Sequence, residues 1–391
     1  HSLKFGFDVR QEHMFIAFIN RPNGDFTFSG AITGSVLGDF LLGYPAQFRA
    51  TTQQGIQDGT GRSYSGYIQD EFRYSDRLTL NVGVRYELAT PFVEKENRIV
   101  VIDPTKKSTV QPLAPQGLLY PGDAGIPDGG YKTDKNNFAP RLGFAYDVKG
   151  DGKWKAYGSW GVFYDTMKLE MPRGAWGGDH WIDYVYTLDT FDWPSITCTD
   201  INGGTNCTGG KFIEQNDRRH ASNELGASLV DPNLKPTKKQ EFTLGFDREL
   251  SSVMSLSVRY AHKWWNETID DVGVNVPGIG EVYYIANPGV GLGASPLGAQ
   301  FPKVPKVLNE YDGVEIALRK RFSNNWQATT SVVFSRLYGN YGGLASSDEA
   351  GRTAPNVSRY YDALYLSFDQ KGNEANGKLN TDRPVQFKAQ G

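Results

Sequence analysis

The residues best suited to chemistry lie in one stretch, WGGDHWIDYVYTLDTFDW (176–193). Trp176, Trp181, Tyr184, Tyr186, Phe191 and Trp193 alternate there with Asp179, Asp183, Asp189 and Asp192. Exposed aromatic rings stack on sugars, peptides and other ligands. Carboxylates hold Ca²⁺, a hard cation that takes oxygen ligands. The opposing reading is that a long segment needs a small core of its own and that the aspartates only solubilise it. The aspartate spacing fits no calcium-loop pattern, so no metal is expected. Segment length favours the small core, and the six aromatics stand as candidate ligand contacts within it.

Other reactive groups are sparse. Cys198 and Cys207 are the two cysteines, close together in CTDINGGTNC. In an oxidising compartment they would close a short loop as a disulfide; elsewhere they would be two free thiols. Either way they leave no set for a zinc site. The histidines, His1, His13, His180, His220 and His262, are scattered, and no G-x-S-x-G accompanies them. A nucleophile–histidine site is therefore not expected, and neither is an enzyme. GVGLG (289–293) has no strand-to-helix switch around it and is no nucleotide cradle. The glycosylation sequons at 206–208, 266–268 and 356–358 need a eukaryotic secretory route and are otherwise incidental. No cofactor is implied. A formal charge of −3 gives no reason to expect nucleic-acid binding.

The elements that must position these groups are strands. RLTLNVGVRYE (77–87) sets Leu78, Leu80, Val82, Val84 and Tyr86 on one face against Thr79, Asn81, Gly83, Arg85 and Glu87 on the other. The same period of two recurs in SLKFGFDVR, NFAPRLGFAYDV, QEFTLGFDREL, SLSVRY, YDGVEIALRKRF and NNWQATTSVVFS. Ten strands are predicted, at 2–11, 62–74, 77–88, 136–148, 153–165, 237–250, 254–264, 311–322, 326–337 and 383–390. Short turns at 74–77, 149–153, 251–254 and 323–326 alternate with long segments at 12–62, 89–135, 166–235, 265–309 and 339–382. Short then long is the asymmetry of outer-membrane barrels, with tight periplasmic turns and long extracellular loops. Compact soluble domains rarely carry several structureless loops of such length. Eleven residues, at about 3.3 Å each and tilted by about 45°, span roughly the 25 Å apolar band of such barrels. Phe72, Tyr74, Tyr86, Trp154, Tyr164 and Trp326 fall near strand ends, where an interfacial girdle belongs. Trp264 and Trp265, at a strand top, are expected to be interfacial anchors. No run of about 18 apolar residues marks a membrane helix, which leaves a barrel open.

On this pattern the apolar faces meet lipid and the polar faces meet the lumen. Arg85, Glu87, Arg141, Asp147, Arg259, Glu315 and Arg319, together with Lys155 and Asp165, would line that inner wall. Their mixed sign suits a wall that hydrogen-bonds an internal plug, or simply a hydrated wall. A passive pore for one ion sign would show a ring of one charge.

YSGYIQDEFRYSDRLTLNVGVRYE (64–87) closely resembles the barrel motif of TonB-dependent outer-membrane receptors. Its most specific part is Tyr67, Gln69 and Asp70, then Leu-Thr-Leu-Asn, then Gly-x-Arg-Tyr. NNFAPRLGFAYDVKGDGKWKAYGSWGVFYD (136–165) is similar to a further hairpin of that family. GSVLGDFLLGYPAQF (35–48) and KKQEFTLGFDREL (238–250) resemble its Oar-like subgroup. The likeness covers most strands and little of the long loops.

The resemblance implies an all-β antiparallel transmembrane barrel of 22 strands in the bacterial outer membrane, of which about ten are here. It implies an N-terminal plug that engages the TonB complex, and energised import of a ligand: a siderophore, peptide, glycan or protein. The expectation is that residues 1–391 are a partial barrel domain, a mature piece or fragment without plug, TonB-contact segment or N-terminal β-sandwich. Two open sheet edges in lipid would cost on the order of tens of kcal/mol, which argues for a larger barrel over a self-closed ten-stranded one. The alternatives are a passive porin, a surface adhesin, or a soluble carbohydrate-binding β-protein.

Overall fold

The structure is a computed structural model. It describes residues 1–18, 23–51, 55–95, 97, 99–103, 105–112, 114, 116–165, 182–188, 210–217, 229–276, 280–294, 303–343, 360–361 and 367–391. Among the described residues, ten longer strands form an antiparallel wall, with the two-residue strands Val93–Glu94 and Gly377–Lys378 paired to it: β1 (Ser2–Phe18), β2 (Gly55–Arg73), β3 (Leu78–Ala89), β4 (Phe138–Asp147), β5 (Trp154–Asp165), β6 (Thr237–Ser251), β7 (Met254–Glu267), β8 (Asn309–Ser323), β9 (Trp326–Gly339) and β10 (Val385–Gln390). Each pairs with the next in chain order, and the wall is open between β1 and β10 among the described residues. All ten predicted strands are present. β1 and β2 run higher than the alternation shows, pairing as far as Phe18 with Gly55. Among the described residues, no helix is long and apolar enough to cross a membrane.

Register turns the alternation of single strands into two continuous faces. Phe5 lies opposite Ile68, Ile68 opposite Val84, and Val84 opposite Pro140. Further along, Phe246 lies opposite Val258, Val258 opposite Ile316, and Ile316 opposite Val332. This apolar belt is solvent-exposed, with Phe5 at 78 % and Leu244 at 48 %. An exposed band of that extent across a sheet is made for lipid. A one-residue slip would put every one of these side chains on the other face, so the belt fixes the pairing. Glycines opposite aromatic residues make room for the rings. At Gly158 a Cβ would come within 2.6 Å of Phe144 Cε1.

The short turns are built as their sequences dictate. Asn324 and Asn325 both adopt positive φ, 51° and 65°, between the paired Ser323 and Trp326. That is the left-handed two-residue hairpin that suits strand twist, and asparagine tolerates it. At the 148–153 turn, Gly150 and Gly152 donate their N–H groups to the Asp147 carboxylate at 2.9 and 2.8 Å.

The long segments are not structureless. Three of them contribute to a five-stranded mixed sheet, ordered 270–276, 280–286, 229–230, 101–102, 118–119. Around it packs a core that includes Val100, Leu229, Val272, Tyr284, Val304, Tyr341 and Tyr361, all buried. A neighbouring cluster holds Phe92, Ile99, Tyr131, Val230 and Ile285. Most of the buried apolar residues among those described are therefore in this cap, not in the wall. The physical reason is simple: the wall turns its apolar side outward, so loops of this length must supply their own core. A second sheet, of 25–27, 47–51, 182–188 and 210–217, joins the first and third long segments. The Oar-like stretch 35–48 lies there, with helix α1 (Val36–Leu42) capped by the Ser35 hydroxyl and ended at Gly43, φ 74°.

Candidate functional site

The polar face carries a ladder of cross-strand pairs. Arg259 donates to Glu315 at 2.7 Å, and Lys263 pairs with Glu241 at 3.0 Å. Lys239 pairs with Asp165 at 2.5 Å, and Lys155 with Asp247 at 3.7 Å. Arg141 lies 5.0 Å over the Phe163 ring. Gln69 of the Tyr-x-Gln-Asp stretch donates to Asn81 at 2.9 Å. Asp70 of the same stretch falls on the apolar face, opposite Leu3 and Val82.

Where cap meets wall there is a cavity of about 260 Å³. Asp8 and Arg10 of β1, Ser65 of β2, Arg85 and Glu87 of β3 and Asp165 of β5 form its wall side. Tyr131, Lys132, Asp134, Asn137 and Leu234 form its cap side. Arg85 Nε donates to Glu87 Oε1 at 2.6 Å, and Arg85 Nη2 donates to Ser65 Oγ at 2.7 Å. Asn137 is 5 % exposed. Its side-chain amide donates to the Asp134 carbonyl at 3.1 Å, and its own carbonyl accepts from Glu87 N at 3.0 Å. Its Oδ1 has no partner among the described residues. Burial pushes the Tyr131 phenol well above its ordinary pKa, against a backbone hydrogen bond at Phe92 that lowers it, so it stays neutral. Lys132 is tied back to Asn233 at 3.0 Å. The cavity thus offers both charge signs, neutral hydroxyls and one buried acceptor. Its volume is slightly below the range of about 300–1,000 Å³ usual for small-ligand pockets.

Of the residues singled out from sequence, Arg85, Glu87 and Asp165 meet in this cavity. Arg141, Arg259 and Glu315 lie on the same face elsewhere in the wall. Arg319, opposite Ser255 and Thr329, sits near the short turns. Asp147 serves the 148–153 turn. Trp265 is no interfacial anchor: it faces the cap, 6.1 Å from the Tyr341 ring, because its register with Lys239 and Asn309 puts it on the polar side. Trp264 is on the other face, opposite Gln240 and Glu310. Trp176, Trp181, Phe191, Trp193, Cys198 and Cys207 lie outside the described residues. Tyr184 and Tyr186 are in strand 182–188, opposite Ala50 and Phe48. Sequence reasoning missed Tyr131, Lys132, Asp134 and Asn137, which carry no local periodicity. Asp8 and Arg10 were visible as polar positions of an alternating strand.

The profile of a family described as outer membrane beta barrel domain matches residues 1–382. The chain belongs to that family. It is a protein of the bacterial outer membrane. A curated relative, the TonB-dependent transporter Oar of Myxococcus xanthus, is 26 % identical over 346 residues. That match covers 85 % of this chain and 28 % of the relative, so the chain spans little more than a quarter of the relative's length. Solved structures that resemble it include Pseudomonas aeruginosa FpvA bound to heterologous pyoverdines, with TM-score 0.37 and 11 % identity, covering 78 % of this chain and 25 % of that one. The siderophore receptor PirA from the same organism has TM-score 0.34 and 10 % identity, covering 76 % of this chain and 46 % of that one. Oar is a transporter and PirA a receptor.

Proposed function

We propose that residues 1–391 are part of the barrel of an outer-membrane receptor that binds a ligand at its extracellular cap and imports it with energy delivered through TonB. The observation that carries this reading is the cavity shared by the cap and the polar face of the wall. A cap with its own core, seated over that face, suits capture above a lumen better than an open pore. The mixed-sign ladder on the inner face suits contact with a plug and gives no single-charge ring for ion selection. The similarity to a curated TonB-dependent transporter supports the same reading. The wall closes through further strands to about the 22 of such receptors, and lipid surrounds the belt. The ligand is a siderophore, peptide, glycan or protein. The aromatics of 176–193 and the pair Arg85–Glu87 are the proposed contacts.

The test is solute depletion from rich medium, followed by mass spectrometry. It compares cells with the full-length gene, cells without it, and cells lacking TonB. A solute whose removal needs both the gene and TonB supports import. Removal that needs the gene but not TonB would make the protein a passive pore. No gene-dependent removal, with cell-surface binding retained, would make it an adhesin.

A further inference from the structure

Two tryptophans mark the short-turn rim of the wall on its apolar side, and each holds cations differently. Lys320 Nζ lies 3.9 Å over the Trp326 ring. It is 8 % exposed, and it donates to the Ser323 carbonyl at 2.7 Å, Ser323 Oγ at 2.6 Å and the Trp326 carbonyl at 3.0 Å. Its donors are used up by its own turn. Trp154 is different. Arg248 Cζ lies 4.1 Å and Lys149 Nζ 4.5 Å from the centre of its ring. Both cations are exposed, and neither has a hydrogen-bond or ion-pair partner among the described residues. The one carboxylate within the turn loop, Asp151, accepts from Lys153 N. Glu249 and Asp247 flank Arg248 in sequence but fall on the opposite face of the strand.

Register fixes the setting. Trp154 is opposite Arg248, and Arg248 is opposite Leu256. The next row up is Ala156, Phe246 and Val258, within the lipid-facing belt. Phe246 also packs 5.4 Å from the Trp154 ring. Two cations with free donors are therefore held on an aromatic platform directly below hydrocarbon-facing side chains. A glycerophospholipid has the complementary layout: a phosphate at that level and acyl chains above it.

We propose that Lys149 and Arg248, held against Trp154, bind the phosphate of an anionic glycerophospholipid at the short-turn rim, with its chains along the Phe246 row. The site rests on the wall's place in the membrane and is independent of import.

The test uses the full-length protein, purified in non-ionic detergent and titrated with phosphatidylglycerol or phosphatidylethanolamine under native mass spectrometry. Phosphatidylglycerol is retained preferentially, and Lys149→Gln with Arg248→Gln weakens it by about fivefold per cation removed. Arg319→Gln, on the polar face, leaves retention unchanged. Heat-modifiable gel mobility shows that each variant is folded. Should the double variant not fold, the unsubstituted protein decides. Its preference for phosphatidylglycerol must vanish in about 1 M salt, where the Debye length is about 3 Å. Equal retention of the two lipids, a preference that survives that salt, or a folded double variant that retains phosphatidylglycerol as before would overturn the proposal.

Discussion

Arg85 and Glu87, two positions apart in β3, face the same way, and the guanidinium donates to the carboxylate at 2.6 Å while also reaching Ser65 on β2. Alternation alone puts them on one face; the third partner comes from register. Both side chains are partly exposed, 32 % and 22 %, so solvent screens the pair. Glu87→Gln should cost the folded protein about 1 kcal/mol or less in guanidinium unfolding. A cost of several kcal/mol would show that the pair is sealed from water, contrary to its exposure.

The lipid belt makes a sharper demand. Val82 lies mid-strand on the apolar face and is 46 % exposed. Val82→Arg should destabilise the protein by about 2–4 kcal/mol in a bilayer and lower the yield of heat-modifiable, membrane-inserted protein. Asn81→Arg, its neighbour on the polar face, should insert normally. Equal damage from both would remove the distinction between the faces.

Asp123 staples one loop of the cap. Its carboxylate accepts from Ser108 Oγ, Thr109 N and Oγ, Val110 N and Tyr120 N at 2.7–3.1 Å. Burial alone would raise its pKa, but these hydrogen bonds outweigh it and hold the carboxyl well below the usual carboxylate range. A depressed folded pKa contributes stability that is complete above the unfolded value of about 3.9 and fades as pH falls through it toward the folded value. Limited proteolysis of the cap should accelerate below about pH 4. Asp123→Asn should cut faster at neutral pH and lose that part of the acid dependence. An unchanged neutral rate would show that the staple contributes nothing.

Tyr284 is fully buried in the cap core, and its hydroxyl has no hydrogen-bond partner among the described residues. Burial pushes its phenol far above its ordinary pKa. Tyr284→Phe removes a stranded hydroxyl and should be neutral or stabilising by about 1 kcal/mol. Tyr284→Ala should cost about 3–5 kcal/mol through the cavity it leaves. Cap proteolysis rates would check both, and a destabilising Phe variant would reveal a hidden partner.

The wall was legible because period-two alternation is a local signal, repeated over whole strands such as 78–89. The turns were legible because Asn324–Asn325 and the glycines of KGDGK have few other uses. The cap was not. Its sheet joins residues as distant as Val101, Val230 and Ile285, in strands as short as two residues. No window of sequence holds such a pairing. The site inherits this split: Arg85 and Glu87 sit on a readable strand, whereas Asn137 and Tyr131 are brought there by the cap. Trp265 marks a different limit: its strand was expected to end at 264 but runs to Glu267, so the alternation carries Trp264 and Trp265 to opposite faces.

The most direct test of the account is a paired cysteine scan of β3 in the full-length protein in its membrane, with Cys198 and Cys207 replaced by serine. Cysteines at Leu80 and Val82 should react with a lipid-soluble maleimide and resist a charged one. Those at Thr79 and Asn81 should react with the charged reagent once it reaches the lumen. The opposite pattern, or equal labelling of both sets by the charged reagent, would contradict a wall with lipid on one face and an aqueous lumen on the other.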